Sequence, residues 1–205
     1  MYSPDQPSPA PPLSRASLVI GLYAAMALVG LLVAAGRGDP NVFVFGDRPS
    51  WLLGAGPFIG VAVGLLVVWL SRIATRRWQW ARDLHGSFKD LLGPLTSRDI
   101  VILALASSVG EEVLFRGALL PWLGLWVQAA VFAALHIGPG KRFLPWTAMA
   151  LVMGLGFGEL AVQTGTLVAP IAAHFVINFL NLRHIVRTEV ARRAAEKLLS
   201  SSAAA

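Results

Sequence analysis

The sequence contains no cysteine. That absence excludes a disulfide framework, a thiolate metal site and a cysteine nucleophile. Charge is scarce as well. Only 14% of the residues are Asp, Glu, Lys or Arg, against about 25% in an ordinary soluble domain. Acidic groups are the scarcer sign, with 11 beside 17 Lys and Arg. The net charge of +6 is not gathered into a basic groove with interleaved aromatics, so no nucleic-acid partner is expected. No internal repeat is visible, which removes the usual sign of a transporter fold.

What is there is apolar. Hydrophobic residues make up 56% of the 205 positions, and the mean hydropathy is +0.65. About 20 apolar residues cross a hydrocarbon core of roughly 30 Å. The runs at 16–36, 51–70, 100–120, 121–138, 143–162 and 167–184 meet that length or approach it. The fold class expected is all-α: a polytopic membrane protein of about six transmembrane helices in one domain, residues 16–186. A flexible proline-rich leader, residues 1–15, precedes it, and a basic C-terminal tail, residues 187–205, follows. Between spans two and three, Trp80, Leu84, Phe88 and Leu91 recur at helical spacing. An amphipathic helix over about residues 77–92, lying in the membrane interface, is predicted. Its His85 reads as a surface residue.

Basic residues orient the chain. With six spans, all 17 basic residues except Arg37, Arg48 and Arg116 fall on the side of the two termini. By the positive-inside rule that side is cytoplasmic. The expected partners are the lipid bilayer and a protein or peptide substrate within it; the oligomeric state stays open.

Against this background the stretch GEEVLFRG, residues 110–117, stands out. Ionisable groups in a membrane span cost at least about 2.5–3.5 kcal/mol and mark function by default. Glu112 and Arg116 are four apart, so they can pair on one helix face. Glu111 is rotated by about 100° from Glu112 and must face something else. A carboxylate kept from a cation in apolar surroundings suits a general base near neutral pH. His136 closes the sequence FAALH, and His174 and Asn178 bracket HFVIN. At about 1.5 Å per residue, Glu111 lies roughly 16 Å from the cytoplasmic end, His174 about 20 Å, Asn178 about 14 Å and His136 about 9 Å. One shared polar cluster, open toward the cytoplasmic leaflet, is predicted. Ser107 and Ser108 lack the glycine spacing of rhomboid-type serine proteases and read as helix-packing residues. HExxH is absent, so a zinc site would need separate helices. Glu159 reads as interfacial.

EEVLFR, FAALH and HFVIN, in this order, resemble the three motifs EExxxR, FxxxH and HxxxN of the CAAX-protease and bacteriocin-processing family of intramembrane peptidases. The resemblance covers residues 111–178. It implies that Glu111 activates water, with His136, His174 and Asn178 completing the catalytic set. Glu112, Arg116 and Phe132 would support them. It also implies hydrolysis of a membrane-anchored or lipid-modified protein near its C-terminal or membrane-proximal segment. No cofactor is expected; zinc across Glu111, His136 and His174 is the alternative. A bacterial inner membrane, with both termini cytoplasmic, is the expected location. Two other functions fit the same residues: a small carrier with a Glu/His proton relay, and a non-catalytic scaffold or immunity protein of the same fold.

Overall fold

The computed structural model describes residues 14–39 and 41–203. The leader expected over residues 1–15 falls almost wholly outside them. The chain forms α1 (Arg15–Gly36), α2 (Ser50–Arg77), α3 (Gln79–Leu92), α4 (Ser97–Glu112), a π-helical segment (Val113–Leu119), α5 (Leu120–Leu135), α6 (Leu144–Thr164) and α7 (Val168–Ala203). Among the described residues, four helical runs are long and apolar enough to cross a membrane: Ala16–Gly36, Ser50–Arg77, Ser97–Leu135 and Lys141–Thr164. The backbone of α7 continues to Ala203, so the expected basic tail prolongs the last helix.

Local signals explain the helix ends. Ser14 caps α1 by accepting from the Ser17 amide at 3.1 Å. Thr96 and Asp99 form a reciprocal capping box at the start of α4, satisfying two orphan amides. Gly165 ends α6 in the left-handed conformation. Packing is inside-out relative to a soluble protein. Arg116, Glu112 and Gln128 are among the largest fully buried side chains, whereas Phe58 and Trp126 are 77% and 71% exposed. Apolar groups on the outside are what lipid contact requires.

The spans expected at 100–120 and 121–138 are joined in the single run Ser97–Leu135, and the boundary between them lies at Gly124. That residue has φ 79° and ψ 171°, a conformation glycine adopts without a Cβ penalty. The chain doubles back there. Phe132 on the returning arm meets Phe115, their ring centroids 4.9 Å apart. The returning arm, residues 125–135, rises only about 16 Å, roughly half the hydrocarbon thickness. His136 follows it level with the first turn of α6, where its carbonyl accepts from Thr147 Oγ1 at 3.0 Å and its ring lies 5.5 Å from Trp146, near the end of the bundle that the sequence spacing suggested.

The helices α2 and α7 run parallel to each other, with Gly56 facing Ala169 and Gly64 facing Ala173. Gly56, Gly60 and Gly64 form a buried stripe on α2, and a Cβ on Gly60 would run into the carbonyl oxygen of Ala169. Small residues at this spacing let two backbones approach closely. At one end of the bundle, the Phe45 amide donates to the Gly165 carbonyl and the Leu167 amide to the Phe43 carbonyl, both at 2.9 Å. Arg37 donates to the carbonyls of Ala118 and Pro121. These bonds tie the loop after α1 to the α6–α7 turn and to the Gly124 hairpin. At the other end, α3 buries Ala81 and Leu84 and sets Phe88 edge-on against Phe143 and Trp146. It leaves Trp80 and Leu91 exposed, as an interfacial helix would.

Candidate active site

The π segment begins directly after Glu112. A π turn widens the helix by one residue per turn and often accompanies functional sites. Glu111 and Glu112 stand at its N-terminal edge and diverge as the spacing predicted. Glu112 is fully buried, and its Oε1 accepts from Arg116 Nη1 at 3.0 Å. The same oxygen accepts from His174 Nδ1 at 2.8 Å. The second glutamate thus bridges the arginine on its own helix to the histidine on α7.

Arg116 is caged by aromatics. Its guanidinium carbon lies 4.4 Å from the Phe132 ring centroid, 5.3 Å from Phe157 and 5.8 Å from Phe115. Cation–π attraction of this kind offsets part of the cost of burying the charge. Phe132 also abuts the His136 ring, with centroids 4.2 Å apart, and Phe157 stacks on His174 at 5.3 Å. Gln128, also buried, donates to the Gly154 carbonyl at 2.9 Å and so fastens the short α5 arm to α6.

Glu111 is the convergence point. Its Oε2 lies 3.8 Å from Nε2 of His136 and 3.8 Å from Nε2 of His174, and it has no hydrogen-bond partner among the described residues. The ring orientations are fixed from behind. His136 Nδ1 lies 2.7 Å from the Phe132 carbonyl oxygen, which can only accept, so Nδ1 carries the proton. In the neutral ring Nε2 then presents a lone pair toward Glu111. His174 has its Nδ1 proton committed to Glu112. Two acceptors facing each other at 3.8 Å make no hydrogen bond, but a water could donate to both. Glu111, Glu112 and Arg116 together leave one negative charge, which an imidazolium at His174 would neutralise.

Asn178 lies one turn further along α7, and its Nδ2 donates to Ser107 Oγ at 2.9 Å. Ser107 is therefore more than the packing residue the sequence suggested. Tyr23 was missed altogether. On α1, half-buried, its hydroxyl donates toward the Glu111 carboxylate. One signal was available: the sequence has only two tyrosines, and Tyr23 is the one inside an otherwise apolar span. His85 is half-buried at the surface of α3, 3.2 Å from the Thr188 hydroxyl and edge-on to His184. Glu159 is exposed and accepts from Gln163 at 2.6 Å, away from the cluster.

Tetrahedral donors at about 2.0–2.2 Å from one zinc sit roughly 3.4 Å apart, closer than the 3.8 Å separations around Glu111. Among the described residues, no three His, Cys, Asp or Glu side chains converge enough to hold a metal ion.

Residues 94–180, which carry this cluster except Tyr23, match the family described as Type II CAAX prenyl endopeptidase Rce1-like. Over these residues the chain is similar to the Rce1-like family. The chain is also 33% identical over 124 residues to the uncharacterized protein YpbD of Bacillus subtilis (strain 168), an alignment covering 58% of this chain and 63% of that relative. It thus spans less than two thirds of the relative's length. No solved structure matches the chain. The Rce1-like match begins just before α4, so α1, α2 and α3 pack on it from outside the matched region.

Proposed function

We propose that this Rce1-like chain is an intramembrane endopeptidase in which Glu111 activates the water that cleaves a membrane-anchored protein substrate. The observation that carries the reading is the buried, unpaired Glu111 Oε2, faced at 3.8 Å by Nε2 of both His136 and His174. A water between them would donate one proton to Glu111 Oε2 and the other to His136 Nε2, leaving its oxygen free to attack. As Glu111 takes the first proton, the water oxygen bonds to the scissile carbonyl carbon and the carbonyl oxygen becomes an oxyanion. His174, as imidazolium, donates from Nε2, and Asn178 donates from its amide, both toward that oxyanion. Collapse breaks the C–N bond, and Glu111 returns its proton to the leaving amine. The immediate products are a carboxylic acid and an amine, with one water consumed; the acid's proton then passes by way of His136 Nε2 to the amine, leaving a carboxylate and an ammonium.

Glu112 and Arg116 serve this scheme indirectly: they hold His174 in the ring orientation that aims Nε2 at the reacting atoms. The basic loops favour a cytoplasmic side for both termini, and the aromatic contacts of His136 with Trp146, and of Trp146 with Phe88 on α3, set the site close to the interfacial helix. A substrate whose scissile bond lies close to the cytoplasmic membrane surface fits that placement.

The test is reconstitution. Purified wild-type protein in liposomes is presented with single-span and lipid-anchored reporter proteins bearing fluorescent C-terminal tails, and fragments are mapped by mass spectrometry. Cleavage by wild type at one bond, absent with Glu111→Gln, supports the reading. A panel left intact by wild type, or cut equally by both proteins, would contradict it.

A further inference from the structure

The α4 and α7 helices meet in two rungs. Ser107 and Glu111 are four apart on α4, and His174 and Asn178 are four apart on α7, so each pair shares one helix face. Glu111 stands opposite His174 at 3.8 Å, and Ser107 stands opposite Asn178 at 2.9 Å. The second rung lies directly beside the first.

Hydrogen-bond valence fixes the direction of that second rung. Ser107 is 3% exposed, and its Oγ lies 3.3 Å from the carbonyl oxygen of Ala104. A carbonyl only accepts, so the single hydroxyl proton goes to Ala104, and Oγ is left to accept from Asn178. The amide must then turn Nδ2, not Oδ1, toward α4. One Nδ2 proton is used by Ser107; the other stays available on the same nitrogen.

We propose that Ser107 is a positioning residue that fixes the amide orientation of Asn178, so that Asn178 presents an N–H and not its oxygen to the substrate carbonyl. The inference rests on the reading above, in which Asn178 donates to the oxyanion. Without the hydroxyl, the amide is free to flip. The flipped form offers Oδ1, whose lone pairs repel the developing negative charge. Ser107 thus acts only through Asn178, and it acts on the chemical step more than on binding.

Two readouts test this. The first needs no substrate. Asn41, Asn178 and Asn181 are the asparagines of the chain, so selective 15N-asparagine labelling of the full chain in micelles gives few side-chain amide signals. Asn178→Asp identifies the signal from position 178. Ser107→Ala is expected to shift that signal and speed its hydrogen exchange, while Ser107→Thr, which keeps a hydroxyl, leaves it near its wild-type position. The second is kinetic, on whichever reporter the wild type cleaves. Ser107→Ala is expected to lower kcat about tenfold, with KM unchanged, less than the roughly hundredfold loss on removing an oxyanion donor. In an Asn178→Ala background the same substitution should have no further effect. An unmoved Asn178 signal in Ser107→Ala would overturn the inference. An equal loss of kcat in both backgrounds would also overturn it, since that is the mark of general destabilisation. Glu111→Gln that still cleaves would overturn the underlying reading instead, and the amide signals would continue to test the Ser107–Asn178 bond.

Discussion

Glu112 and His174 are joined across two helices, Oε1 to Nδ1, at 2.8 Å. The same oxygen holds Arg116, so one carboxylate neutralises a buried cation and orients a histidine. Truncating one partner of such a buried pair leaves an uncompensated charge, at a cost of about 3–5 kcal/mol. Arg116→Ala is therefore predicted to lower the thermal midpoint in micelles sharply. Glu112→Gln combined with Arg116→Met, which removes both charges, should recover part of the loss. Thermal unfolding monitored by circular dichroism decides; a wild-type midpoint in Arg116→Ala would contradict the buried pair.

Tyr23 lies outside the region matched to the Rce1-like family, yet it reaches Glu111. Hydrogen bonds to charged groups are worth roughly 1.5–3 kcal/mol, enough for about a tenfold effect or more on rate. Tyr23→Phe is predicted to reduce kcat by about that much while leaving the thermal midpoint within about a degree of wild type. Steady-state cleavage rates and midpoints measured side by side check it, and an unchanged kcat would remove Tyr23 from the site.

Much of this arrangement is legible in the chain because charge is so rare in it. Glu111, Glu112, Arg116, His136, His174 and Asn178 are conspicuous in apolar runs, and the four-residue spacing of Glu112 and Arg116 foretells their contact. The reversal at Gly124 is not legible in the same way, because a glycine within an apolar run carries no sign that its φ is positive. The π segment is hidden for a similar reason, since no residue pattern in VLFRGAL separates i→i+5 from i→i+4 bonding. Ser107 and Tyr23 are small or mostly apolar side chains, and their roles exist only through partners on other helices. The stripe Gly56, Gly60, Gly64 was readable as a spacing, but not the identity of its partner.

That stripe carries its own prediction. A side chain at Gly60 has to displace the backbone of α7 at Ala169, and α7 holds His174 and Asn178. Gly60→Val is predicted to loosen the α2–α7 contact and to reduce cleavage activity together with stability, whereas Gly54→Val, at a position with open space around it, leaves both unchanged. Limited proteolysis in micelles and reporter cleavage measure the two effects; equal behaviour of the variants would contradict the close packing.

On α3, burial, then the nearby Arg72 and Lys89, hold the His85 imidazole below its ordinary value. The unfolded chain then binds a proton more readily than the folded one as pH falls through about 6.5. Stability from this residue is fully present above that pH and declines below it. His85→Gln, which can still bond Thr188, is predicted to flatten the fall in thermal midpoint between about pH 7.5 and pH 5. The comparison of wild-type and variant midpoints across that range measures it, and parallel curves would show that His85 does not contribute.

The most direct measurement concerns the base itself. Wild-type protein is depleted of metal with a zinc chelator, assayed for metal by mass spectrometry, and compared with Glu111→Gln on the same cleaved reporter. If Glu111 Oε2 activates water without a metal, the depleted wild type keeps its rate and Glu111→Gln loses at least about a thousandfold. Activity lost on chelation and restored by zinc, or retained by Glu111→Gln, would contradict a glutamate base acting alone.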